Sequence, residues 1–158
     1  MGCYVLDTTV LSNFAHVGQP HLIQRALGLH VFTTPVVMAE LAMGVEAGHV
    51  PACDWEWLKI LEPNEDTATL ISEFQRVLDA GEAESLAVAI QKGCIFLSDD
   101  LAARRLASSR DVKVSGTLGI LLKLVKMGEL DLDEADRLLQ GMMAKGYRSP
   151  VSTLFRLL

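Results

Sequence analysis

The sequence holds only three cysteines, Cys3, Cys53 and Cys94, and no C-x-x-C pair. That excludes a disulfide scaffold or a thiolate zinc cluster, and it reads Cys3 and Cys94 as small buried hydrophobes in a reducing cytoplasm. The four histidines, His16, His21, His30 and His49, lack the H-x-x-x-H spacing of an imidazole metal site. Basic charge is also short. Fourteen Lys and Arg stand against twenty Asp and Glu, a net charge of −6, whereas a protein that coats nucleic acid is normally basic. Although 50% of the residues are hydrophobic, no run reaches the ~18 residues of a membrane span. The opening residues have no basic stretch and meet Asp7 almost at once, so no signal peptide and no membrane partner are expected. Repeats and low-complexity linkers are missing as well, which leaves one domain over residues 1–158.

What is present is an alternation of short apolar strands with helical runs. "CYVL", "HVF", "CIFLS" and "VKV" read as strands, with a further strand-like stretch before Pro63. Between them lie "TTVLSNFAHV", "PHLIQRAL" and a helix opening at Pro35 after the cap Thr34. "DTATLISEFQRVLDAG" reads as one amphipathic helix ended by Gly81, and "EAESLAVAIQKG" as the next. Strand–helix alternation of this kind implies a short-stranded parallel sheet covered on both faces, a three-layer α/β/α architecture.

In such a sheet ligands gather beyond the carboxyl ends of the strands. Asp7 ends the first strand, and Asp99 and Asp100 end "CIFLS". Glu40 is the only charged residue between Thr33 and Glu46, on or beside an apolar helical face, and Glu82 and Glu84 open a helix that is uncharged until Lys92. Any one of these acids could be a helix cap or a first-turn charge. Together they bring carboxylates to one edge of the sheet. At about 4 Å and an effective dielectric near 20, each pair of such charges repels by around 4 kcal/mol. No Lys or Arg lies inside these motifs, so a divalent ion is the natural compensation, and an all-oxygen donor set points to Mg²⁺ or Mn²⁺. Removing these six acids leaves fourteen against fourteen basic residues, so the chain's acidity resides in this set. Arg104, Arg105, Arg110 and Lys113 follow Asp100 and could guide a phosphodiester toward it, or could form a solvated helix face.

The segments "VLDTTVLSNF", "TTPVVMAEL", "GEAESLAVAIQKG", "FLSDDLAARRLA" and "VSGTLGILLKLVKMGEL", in that order, resemble the PIN-domain family of VapC-like toxin ribonucleases. The likeness spans essentially the whole chain, and its last three segments look most like a GEAE-bearing branch of that family. It implies a PIN-like fold and a metal-dependent endoribonuclease, the toxin of a toxin–antitoxin pair. It also implies acids at four places that bind one or two Mg²⁺ or Mn²⁺ ions. Those places fall on Asp7, Glu40, Glu82 and Asp100, with Ser98 in the hydroxyl position before the last. Asp99 and Glu84 are extra acids, additional ligands or supports of the others. Ser98, Arg104 and Arg105 are the expected substrate-binding residues, with RNA as substrate.

Glu82 stands where an Asp is usual, so a second reading stays open: a PIN-fold binding or scaffold module without catalysis. Metal-dependent RNA cleavage separates the two. A response-regulator receiver is disfavoured because only 58 residues follow Asp100, and an aspartate-nucleophile phosphatase because Thr9 breaks the D-x-D pattern. The tail carries Val151, Leu154, Phe155, Leu157 and Leu158, which either dock on the core or meet another chain. The resemblance favours a homodimer and a cognate antitoxin whose arginine enters the acid pocket.

Overall fold

Strands of two or three residues cannot hold a sheet by backbone pairing alone, so the fold rests on what covers them. The structure is a computed structural model and describes residues 2–158. In chain order the elements are β1 (Tyr4–Leu6), α1 (Thr8–His16), α2 (His21–Leu27), β2 (Val31–Thr33), α3 (Pro35–Glu46), β3 (Lys59–Ile60) and α4 (Glu65–Phe74). They continue with α5 (Ala80–Lys92), β4 (Ile95–Leu97), α6 (Leu101–Ser109), β5 (Val114–Ser115), α7 (Thr117–Lys126) and α8 (Leu132–Ala144), before a short 3₁₀ turn at Leu154–Leu157. The sheet order is β3-β2-β1-β4-β5 and every pairing is parallel.

Successive strand residues point to opposite faces, and the two cores divide accordingly. Val5 and Phe96 pack with Phe74, Leu86 and Ala103, which puts α4, α5 and α6 on one face. Leu6 and Leu97 pack with Phe14, Ile23, Leu121 and Leu139, which puts α1, α2, α7 and α8 on the other. Phe14, Phe74 and Phe96 are buried to 1% exposure or less. Each such ring contributes about 2–3 kcal/mol of transfer free energy, which offsets the weak pairing of short strands. The expected three-layer α/β/α architecture with a parallel, PIN-like sheet is the observed one.

The order reverses at β1: β2 lies on one side of it and β4 on the other. This is a topological switch point, and the crevice of an open α/β sheet opens there, beyond the strand carboxyl ends. Asp7 follows β1 and Ser98–Asp100 follow β4, so both motifs are delivered to that crevice.

Two expectations need correction. The helix expected over residues 66–81 ends at Phe74, and α5 begins at Ala80 with Asp79 as its cap. Gly81 therefore lies inside the first turn of α5 and terminates nothing. The reason is a reciprocal capping box: the Asp79 carboxylate accepts from Glu82 N while Glu82 accepts from Asp79 N, and this starts the helix two residues earlier, at Ala80. The second correction concerns Cys3 and Cys94, which are joined in a disulfide rather than packed as free thiols. Parallel register explains the encounter. Tyr4 pairs with Ile95, so the residue before each strand meets its counterpart directly across the ladder. Among the described residues no helix is long and apolar enough to cross a membrane.

Candidate functional site

Asp7 leaves β1 in extended conformation and turns the chain into α1. Its Oδ1 accepts from Thr9 N at 3.0 Å, Val10 N at 3.4 Å and the Thr9 hydroxyl. The Thr9 hydroxyl in turn accepts from Asp99 N at 2.9 Å, so one side chain ties the end of β1 to the end of β4. Asp7 Oδ2 is buried with no hydrogen-bond partner. Ser98 stands near enough to ease the charge on Asp7 without completing a bond to it. Burial dominates, with the charge of Asp99 adding to it, and together they lift the Asp7 carboxyl from the ordinary 3.8 to about 7.

Glu82 lies on α5 at 8% exposure, its pKa pushed up to about 8 by desolvation and by the charges of Asp79, Asp100 and Asp7. Asp7, Glu82 and Asp100 are thus brought within electrostatic reach of one another. Glu40 comes from the middle of α3. Its Oε2 accepts from the Thr8 hydroxyl at 3.4 Å, while its Oε1 is buried and unpartnered. That oxygen rests against Gly81, where a Cβ would overlap it, so only glycine leaves room for the carboxylate. Desolvation raises the Glu40 pKa first, then the charge of Asp79, while the Thr8 hydroxyl and the Gly81 amide, close to the carboxylate without completing a bond to Oε1, lower it in part. Asp79 acts on both glutamates and links Glu40 to the other three acids.

The extra acids have structural duties. Glu84 Oε1 accepts from Val36 N at 3.0 Å and so satisfies a free amide in the first turn of α3. Asp99 accepts from Asn13 Nδ2 and Thr117 N, both at 2.9 Å, and from the Thr117 hydroxyl, which fixes α1 and α7 to the end of β4. Asp100 caps α6 through Ala103 N at 2.9 Å, and its own N–H donates to the Ser98 hydroxyl. Arg104 turns inward: its guanidinium donates to the carbonyls of Ser98 and Ser115 at 2.8 and 2.9 Å, bracing β4 against β5. Arg105 is exposed on α6.

Sequence reasoning missed Asp79, although its D-x-x-E spacing to Glu82 is a capping-box signature. It also missed Asn13 and Thr117, which meet Asp99 from 86 and 18 residues away and have no local signal. It gave no role to Lys145, Tyr147 and Arg148, which line the cavity of about 490 Å³ that also holds Glu40, Asp79 and Asp100.

These residues fit a hard divalent cation in donor chemistry. All donors are carboxylate oxygens, two of them are buried with no partner, and no ion pair among the described residues involves a site acid. The acids are not assembled as a ready coordination sphere, since among the described residues no group of three or more ligating side chains is so arranged. Asp7, Glu40, Glu82 and Asp100 are the residues that would hold the ion. A bound divalent cation supplies charge neutralisation and a water acidic enough to act as nucleophile near neutral pH.

A family model described as a PIN domain matches residues 3–158. No curated protein matches the sequence. PIN domains are generally nucleases, hydrolases of phosphodiester bonds that bind nucleic acid and typically use divalent metals. With acids gathered at the switch point of a five-stranded parallel sheet and a match over nearly its whole length, the chain belongs to the PIN-domain family.

Proposed function

We propose that this protein is a Mg²⁺- or Mn²⁺-dependent endoribonuclease whose centre is Asp7, Glu40, Glu82 and Asp100. The observation that carries the reading is the pair of buried oxygens, Asp7 Oδ2 and Glu40 Oε1, that have no hydrogen-bond partner and no ion pair among the described residues. Leaving two buried carboxylate oxygens unsatisfied costs several kcal/mol, which a stable fold tolerates where a ligand repays it. In this reading the protein groups bind and orient. Asp7 is held on one oxygen by Thr9 and Val10, which leaves the other buried and unpartnered. Glu40 is held by Thr8 and backed by Gly81. Desolvation and the surrounding charges of Asp79, Asp100 and Asp7 raise the Glu82 pKa, and a bound cation would relieve that repulsion and favour the ionised, ligating form.

A toxin role in the cytoplasm, controlled by a cognate antitoxin, belongs to the same proposal and rests on the family resemblance. An arginine of such a partner would pair bidentately with these carboxylates and compete with Mg²⁺. Homodimerisation is supported by the apolar surface left at Phe155, Leu157 and Leu158. The reading as a scaffold without catalysis has one observation in its favour: Glu82 Oε1 is already engaged by Asp79 N at 3.1 Å. One assay separates the two. Purified protein is incubated with RNA in Mg²⁺, in Mn²⁺ and in EDTA, alongside Asp7→Asn. Cutting that needs the metal and is lost in Asp7→Asn supports the nuclease; intact RNA under every condition supports the scaffold.

A further inference from the structure

Two cavities flank the acid pair on the carboxyl edge of the sheet. One of about 490 Å³ reaches Glu40 and Asp79, and one of about 640 Å³ runs past Ser115 and Gly116 to Pro150. Four residues line both: Asp99, Asp100, Tyr147 and Arg148. Together the cavities form a groove that passes over the acids, with the turn after α8 as its far wall. Gly146 adopts φ +112°, a conformation that favours glycine, and this bends the chain so that Lys145 and Tyr147 both line the groove.

The wall has the chemistry of a strand-binding surface. Lys145 and Arg148 are exposed, and neither makes an ion pair or side-chain hydrogen bond among the described residues, although carboxylates lie across the groove. Had these cations served to neutralise the acids, they would be paired with them. Arg104, by contrast, is occupied by two carbonyls, and Arg105 lines neither cavity. Tyr147 is half-buried: it packs against the core and leaves part of its ring on both cavities.

We propose that Lys145, Tyr147 and Arg148 form a wall that holds a single-stranded nucleic acid across the acid site, the two cations on its phosphates and the Tyr147 ring against a base. The inference rests on the nuclease reading for its substrate and deepens it by naming the residues that grip the strand. A single strand is required because Asp7 is wholly buried and Glu82 is 8% exposed. Only a flexible backbone can bend a phosphate into such a recess, and only an unstacked base offers a free face to an aromatic ring. These are positioning residues, so their loss raises KM and leaves kcat in place.

The probe is a fluorescein-labelled single-stranded RNA of roughly 12 nucleotides, within the span such grooves cover. Binding is followed by anisotropy in EDTA between about 50 and 200 mM salt, with a duplex of the same length alongside. Cleavage of the same RNA in Mg²⁺ is measured separately. Removing two phosphate contacts in Lys145→Ala/Arg148→Ala should lower the steepness of log affinity against log salt by about 1.4. Tyr147→Leu should weaken binding roughly tenfold, and Tyr147→Phe should restore it. An unchanged salt slope in the double variant, a Tyr147→Leu protein that binds like wild type, a wild type that binds no RNA, or equal affinity for the duplex overturns the proposal. The double variant changes exposed side chains only, so it remains informative if Tyr147→Leu fails to fold. Wild-type binding with these effects but no cleavage would remove the nuclease reading and support the wall. Cleavage with an unchanged slope would remove the wall alone.

Discussion

Asp7 carries a fully buried carboxyl whose pKa is raised to about 7, chiefly by desolvation. Its ordinary value is 3.8. Between those pH values the unfolded chain has released the proton that the folded one still binds, so the stability contributed by Asp7 falls as pH rises from about 4 to about 7, and Glu82, raised to about 8, extends the fall. A shift of this size corresponds to up to about 4 kcal/mol. Urea unfolding of metal-free protein should therefore give lower stability at pH 8 than at pH 5, and Asp7→Asn should remove much of that difference while abolishing cleavage. A wild type equally stable at both values would contradict the burial of an uncompensated charge. Asp99 and Glu84 behave differently, because their oxygens satisfy Asn13, Thr117 and Val36 N. Asp99→Ala and Glu84→Ala should each lower stability by about 1–3 kcal/mol, the cost of stranding buried donors. Equal or higher stability in either would show those bonds to be unimportant. Both duties depend on where an acid points, and neighbouring acids in a sequence look alike. That is why spacing alone does not separate Glu82 from Glu84 in "GEAE", where only the family resemblance assigns them different roles, while in space they meet different partners.

At the scale of elements, α5 decides how the site is built. Asp79 caps it, Gly81 makes room for Glu40, Glu82 stands within electrostatic reach of Asp7 and Asp100, and Glu84 reaches α3. Gly81→Ala sets a methyl where the Glu40 carboxylate rests. It should cost metal affinity while the helix, which prefers Ala to Gly, holds its stability within about 1 kcal/mol. Divalent titration beside urea unfolding tests this; unchanged affinity would detach Glu40 from the site. The strands and most helices were legible because apolar runs of period two and 3.6 survive in short elements. The break between α4 and α5 was not, since an apolar pattern through Leu78 hid the cap at Asp79. The arrival of Asp7 and Asp100 at one edge was legible too, because parallel strands share a direction. Lys145 and Arg148 join them only through the packing of α8 on α1, which no local pattern encodes.

Over the whole molecule, the Cys3–Cys94 bond closes a separation of 91 residues between the two central strands, on the side of the sheet away from the acids. Both strands open on cysteine, in "CYVL" and "CIFL", but the pairing becomes visible only once the register is known. Alkylation of the unfolded, unreduced chain should label Cys53 alone, and reduction should lower stability by up to about 4.6 kcal/mol, the loop-closure value for a span of this length. Three labelled thiols would instead return Cys3 and Cys94 to the role of packed hydrophobes.

The claim on which the rest depends is that four carboxylates from β1, α3, α5 and the end of β4 form one divalent-cation site. Calorimetric titration of the metal-free protein with Mn²⁺ at pH 7 tests it most directly. Saturable binding is expected, with release of protons from the raised-pKa carboxyls, lost in Asp7→Asn and strongly weakened in Asp100→Asn. Absence of binding to the wild type, or equal binding to all three proteins, would contradict it.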